Sequence, residues 1–151
     1  MEEFFLAALD LKQIDWAHVF LRSICQVFPD NIKTMRFLGM YYEAAGSIFK
    51  AQEIYLEILE STPEDSMTLK RLISLCRHND MQNDAIAMLN KYLELNQIDE
   101  EAWMELCDMY LSKQNFLKAQ YCYEEILASN PTNYQHNIKY AEILYSQAIA
   151  T

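Results

Sequence analysis

Alanine stands at positions 17, 51, 85 and 119, a constant interval of 34 residues across four places. Helix propensity alone favours alanine without fixing its phase, so the interval needs a structural cause. The cause that fits is close approach of two helices. A bulky side chain where two helices cross overpacks the contact, typically at a cost of about 1–3 kcal/mol. A small residue returning at one period therefore predicts a repeated helix hairpin, each copy packing on the next.

The frame extends beyond alanine. In residues 100–133 the places hold Trp103, Leu106, Tyr110, Ala119, Tyr123 and Pro131. One period earlier stand Leu69, Leu72, Ile73, Cys76, Ala85, Leu89 and Tyr92, with Gln97 where proline is expected. A further period back come Met35, Leu38, Gly39, Tyr42, Ala51, Tyr55 and Pro63, and before them Phe4, Phe5, Ala8, Ala17, Leu21, Ile24 and Pro29. An aromatic, Leu, Tyr, Ala, aromatic and Pro in this order and spacing resemble the tetratricopeptide repeat. That resemblance implies an all-α solenoid of antiparallel helix hairpins in a right-handed superhelix, with the first helix of each pair, helix A, lining the concave side.

Only two Gly and three Pro interrupt the chain, which favours long helices with short connections. Gly46 suits the left-handed end of a helix and Ser47 the start of the next, with Asn79-Asp80 and Asn115 at the corresponding breaks. Turns are expected at Phe28-Pro29, Thr62-Pro63 and Asn130-Pro131. Helices are expected over residues 2–11, 14–27, 32–45, 48–60, 66–78, 82–95, 100–112, 116–129 and 134–147. The expected organisation is a single domain over 1–151: a partial repeat at 1–31, full repeats at 32–65, 66–99 and 100–133, and a terminal helix at 134–147. The frame places the start of the first repeat before Met1, and the terminal helix lacks a partner, so the chain is expected to be part of a longer protein. Ile138, Tyr140, Ala141, Leu144 and Tyr145 form the apolar face by which that helix is expected to pack back, with part of it exposed. Exposed solenoid ends also offer a route to self-association.

The charge of −10 argues against nucleic-acid binding, which needs concentrated Lys and Arg. Nothing approaches a membrane-spanning apolar run. Cys25, Cys76, Cys107 and Cys122 are 51, 31 and 15 residues apart, without a Cys-x-x-Cys or Cys/His cluster, so neither a zinc site nor any cofactor is expected. Reduced thiols on apolar helix faces favour the cytosol. His18, His78 and His136 fall in different hairpins, and most carboxylates open helices, where they complement the dipole, so no enzyme is expected.

Charge phase supplies the candidate contacts. Lys33, Arg36, Lys70 and Arg77 on the helix A segments of two repeats are expected to face the groove, joined there by Met40 and Met67. The next helix A reverses the charge, with Glu101 and Asp108 flanking Met104. Methionines repack around varied apolar partners, but surface tolerance accounts for them equally well, and charged side chains also cover solenoid faces that bind nothing. The carboxylate clamp of chaperone-tail-binding repeats places Lys, Asn, Asn, Lys and Arg on three such helices. Here the matching places hold Arg36, Met40, Arg71, Glu101 and Glu105, and the last two would repel a carboxylate tail.

Runs of residues that fill in the places between the frame residues carry a narrower resemblance. Leu89-Asn90-Lys91-Tyr92-Leu93-Glu94, Glu101-Ala102-Trp103-Met104-Glu105-Leu106, Lys118-Ala119-Gln120-Tyr121-Cys122-Tyr123-Glu124-Glu125 and Arg36-Phe37-Leu38-Gly39-Met40 resemble the family of subunit 2 of the endoplasmic reticulum (ER) membrane protein complex. The resemblance covers the middle of the family's longer protein. It implies a non-catalytic cytosolic scaffold, held at the ER membrane through partners. Those partners are other subunits of a membrane protein insertase and cytosolic segments of its membrane subunits. The alternative is a free adaptor or co-chaperone that binds acidic peptide segments in its groove.

Overall fold

A computed structural model describes residues 1–151 and contains nine α-helices. They are α1 (Glu2–Asp10), α2 (Ile14–Val27), α3 (Ile32–Ala44), α4 (Ile48–Ser61), α5 (Ser66–His78), α6 (Gln82–Leu95), α7 (Glu100–Ser112), α8 (Phe116–Ser129) and α9 (Tyr134–Ala150). The chain forms two compact units, Met1–Asp80 with α1 to α5 and Met81–Thr151 with α6 to α9.

Backbone geometry repeats with the sequence. The residues with positive φ are Lys12 (54°), Gly46 (76°), Asp80 (57°) and Gln114 (56°), one every 34 residues. Each lies in the short connection between a helix A and the helix B that follows it. The amides after three of them close the preceding helix: Gln13 N donates to Ala8 O at 2.8 Å, Ser47 N to Tyr42 O at 2.9 Å and Asn115 N to Tyr110 O at 2.9 Å. These six-residue closures satisfy carbonyls that the helix end leaves open. Lys12 and Gln114 adopt the conformation without being glycine, so tertiary position outweighs local preference there. Asn115 is instead the N-cap of α8, its side chain accepting from Lys118 N, whereas Ser47 holds the N-cap place of α4 without a side-chain bond.

All four frame alanines are fully buried, at 0% exposure. In the first unit Phe5, Ala8, Ala17, Leu21, Ile24 and Phe37 make a core, with Leu38, Met40 and Tyr41 packed against it. In the second unit Trp103, Leu106, Tyr110, Ala119, Tyr123 and Ile126 are buried, and Trp103 Nε1 donates to Gln97 O at 2.9 Å.

The terminal helix packs in a different phase from the one expected. α9 buries His136 and Ile143, while of the expected face Ile138, Leu144 and Tyr145 are 54%, 38% and 71% exposed, Ala141 is exposed as well, and Tyr140 alone is half-buried, its hydroxyl donating to Glu124 on α8. His136 and Ile143 lie one period after Ala102 and Met109, which are also buried, and they pack on the preceding hairpin. Leu144 follows Tyr110 by the same period, a place that in residues 100–133 faces the hairpin's own second helix. Within residues 1–151 no second helix packs there, and Leu144 is exposed.

Candidate partner-binding surfaces

In the first unit the predicted cations divide by environment. Lys33, near the start of α3, is exposed, with Nζ 2.5 Å from Glu2 Oε2 and 5.8 Å above the Phe37 ring. Arg36, one turn later, is half-buried and bound within the chain. Its Nη2 lies 2.8 Å from Asp65 Oδ2, its Nε donates to Thr68 Oγ1 at 3.3 Å, and its Nη1 is 3.5 Å from Met67 Sδ. Thr68 Oγ1 donates to the same Asp65 oxygen at 2.5 Å. Asp65 is the N-cap of α5, so this network staples α3 to the start of α5. Burial raises the Asp65 carboxyl, but the Thr68 hydroxyl and the Arg36 guanidinium outweigh it and leave the pKa below the ordinary value.

Lys33 and Arg36 border an open groove of about 660 Å³ whose other wall is the Thr62-Pro63-Glu64 turn. Met67, Lys70, Arg71, Ser74 and Arg77 follow one another along the exposed face of α5, which carries no carboxylate. Met40 is half-buried against the core, which gives it a packing role. The groove and the α5 face thus receive Lys33, Arg36, Met67, Lys70 and Arg77, with Lys33 paired to Glu2 and Arg36 to Asp65.

Sequence reasoning passed over Glu43, a second carboxylate of this unit that is held within the chain. It sits at the end of α3, where Tyr55 Oη on α4 donates to its Oε1 at 2.5 Å and Arg71 Nη1 lies 3.9 Å from Oε2. Desolvation raises the Glu43 pKa, opposed by the Tyr55 hydroxyl, Arg71 and His78. Burial and the neighbouring carboxylate push the Tyr55 hydroxyl up, so it stays protonated and donates. The available signal was a tyrosine at a frame place facing the last turn of helix A.

In the second unit Glu101, Met104 and Asp108 share one face of α7 at spacings of three and four residues. Glu101 and Asp108 are exposed and Met104 is half-buried. At the start of the same helix, Glu100 Oε1 lies 2.6 Å from Nε2 of the buried His136, tying α7 to α9. Cys107 and Cys122 are fully buried, and desolvation pushes both thiols up to about 12, so neither is a thiolate at neutral pH. No group of three or more His, Cys, Asp or Glu is arranged to hold a metal ion, and no helix is long and apolar enough to cross a membrane.

These surfaces are charged, exposed faces on a helical frame, and known proteins share the frame. The chain is 34% identical over 146 residues to ER membrane protein complex subunit 2-B of Xenopus laevis, covering 97% of this chain and 49% of that protein. It is also 34% identical over 105 residues to ER membrane protein complex subunit 2 of Dictyostelium discoideum, covering 70% of this chain and 33% of that one. The chain thus spans about half the length, or less, of these relatives. Among solved structures, a tetratricopeptide repeat protein from Parabacteroides merdae superposes with a TM-score of 0.75 at 19% identity, over 97% of this chain and 58% of that one. A thermophilic TPR protein of Thermus thermophilus gives 0.61 at 18% identity, over 93% and 78%. At these identities the structures show the fold alone, an all-α tetratricopeptide repeat solenoid, as expected from the sequence. The EMC2 TPR-like repeat domain matches residues 14–149, and the chain belongs to that family.

Proposed function

We propose that this chain is the repeat-bearing part of a non-catalytic scaffold subunit of the ER membrane protein complex, lying on the cytosolic side and held at the membrane through its partners. The observation that carries the reading is 34% identity along 97% of the chain to a protein named as subunit 2 of that complex. The faces offered to other subunits, or to cytosolic segments of membrane subunits, are the basic side of α5 with Lys70 and Arg77 and the acidic side of α7 with Glu101, Met104 and Asp108. Opposite charge on separate helices suits partners of opposite charge and suppresses wrong pairings.

Two contacts weigh against the free adaptor for acidic peptides. An incoming carboxylate would have to displace Asp65 from Arg36 and Glu2 from Lys33. The test is affinity purification of the full-length natural protein carrying either Lys70→Glu with Arg77→Glu or Glu101→Lys with Asp108→Lys. Loss of individual subunits from one variant and not the other supports the reading. Full recovery with both variants removes these faces as the points of contact.

A further inference from the structure

The outer face of α4 differs from the equivalent faces of the other B helices. Phe49 is 81% exposed, and Leu56, two turns further on, is 39% exposed. The repeat does not require an aromatic at Phe49, because the same place holds Asp15, Asn83 and Leu117 in the other hairpins. Glu53, Glu57 and Glu60 run alongside, and together with Gln52 these residues line an open groove of about 560 Å³.

None of these three carboxylates forms an ion pair or hydrogen bond. The one cation of α4, Lys50, places its Nζ 5.5 Å over the Tyr42 ring instead. α8 supplies the contrast. Its Leu117 and Tyr121 are also exposed, but Glu124 accepts from Gln120 at 2.8 Å and Tyr140 at 2.9 Å, and Glu125 takes the Tyr121 hydroxyl. The α8 carboxylates are satisfied within the chain, and those of α4 are not.

We propose that the outer face of α4 docks a basic amphipathic helix of a partner protein, whose apolar side chains cover Phe49 and Leu56 while its Lys or Arg residues face Glu53, Glu57 and Glu60. Phe49 and Leu56 are seven residues apart, about 10.5 Å along the axis, which matches apolar anchors at i and i+7 of a partner helix. Covering them removes apolar surface from water, and the flanking carboxylates select a cationic partner. A second copy of a chain with charge −10 meets like charge here, and an anionic membrane surface is repelled. For its place in the cell the inference rests on the scaffold reading; the docking chemistry belongs to α4 alone.

The test uses the 151-residue chain and an amidated peptide of about 18 residues with Leu at helical a and d places and Lys elsewhere, compared with a Leu/Glu peptide of the same pattern. Anisotropy at two salt concentrations gives affinity, and amide chemical shifts give location. The Lys peptide is expected to bind with shifts gathered on α4, and the Glu peptide not to bind. Phe49→Ala leaves the core intact and is expected to weaken binding at least about tenfold. Neutralising Glu53, Glu57 and Glu60 to Gln is expected to remove most of the salt dependence. Neutralising Glu3, Asp10 and Asp15 instead is expected to change affinity by less than about twofold. Scattered shifts, or equal weakening by the two triple variants, mean diffuse attraction to an acidic chain and overturn the proposal. Absence of α4 binding while the full-length protein still purifies with its complex overturns this inference and leaves the scaffold reading standing. Binding at α4 without co-purifying subunits does the reverse.

Discussion

Gly39 on α3 faces the ring of Tyr55 on α4 so closely that a Cβ at residue 39 would lie 2.4 Å from Tyr55 Cε1. Tyr55 is fully buried, and its hydroxyl is tied to Glu43, so the ring has little freedom to withdraw. Gly39→Ala gains helix propensity of about 1 kcal/mol but overpacks a fixed ring. With the ring fixed, overpacking is expected to win, with a net loss of up to about 2 kcal/mol in urea unfolding. The loss caused by Gly39→Ala should be smaller in a Tyr55→Leu background than in the unsubstituted chain, because the clashing ring atoms are then absent. Purely additive effects would mean that the contact is slack.

Glu43 gives the first unit a pH dependence of definite sign. Its folded pKa is raised above the ordinary 4.5, so the associated stability is present below that value and is lost as pH rises through the folded pKa. Glu43→Gln keeps an acceptor for Tyr55 Oη and removes the titration. The variant is therefore expected to gain stability relative to the unsubstituted chain as pH climbs from about 4 to about 7. Urea midpoints measured across that range check it, and a difference that stays constant or shrinks would contradict it.

The Arg36–Asp65 pair acts on the acid side, with the opposite sign. Asp65 titrates below its ordinary 3.8, so its contribution is present above that value and disappears as pH falls through the lowered folded pKa. Arg36→Gln leaves Asp65 with the hydroxyl and backbone amide of Thr68 and removes one arm of the staple. The variant is expected to lose stability at neutral pH and to show a shallower further loss on acidification. Equal acid limbs in the two proteins would show that the ion pair adds nothing.

Adjacent residues of α9 test its packing phase. Ile143 is 4% exposed and Leu144 is 38% exposed. Ile143→Ala is expected to cost about 2–4 kcal/mol, and Leu144→Ala less than about 1 kcal/mol. Similar losses at both positions would restore the phase expected from apolar periodicity.

Periodicity revealed the helices because the features that place them are local and recur with the alanines. Ala17, Ala51, Ala85 and Ala119 are all fully buried, and the helix ends agree with the expected ones within a residue, except that α9 runs three residues further. The burial phase of α9 was less legible. A run such as Ile138, Ala141, Leu144 and Tyr145 reads as a packing face whether or not a partner helix is there to cover it. His136 could not be read as core from its type alone, since its burial depends on Glu100 and Tyr123 in the preceding hairpin. Arg36 shows a similar limit at the candidate site. Spacing puts it on the charged side of α3, but its engagement depends on Asp65, brought within 2.8 Å by the return of the chain into α5. Glu43 was hidden for the same reason, because its constraint comes from Tyr55 on the next helix.

A scaffold subunit of the kind proposed works inside a membrane-bound assembly and travels with it. The most direct test is affinity purification of the full-length natural protein from detergent-solubilised ER membranes, with mass spectrometry of what accompanies it. The account predicts recovery of other ER membrane protein complex subunits in stoichiometric amounts. Recovery of the protein without any of them, from membranes in which the complex is otherwise intact, would contradict it.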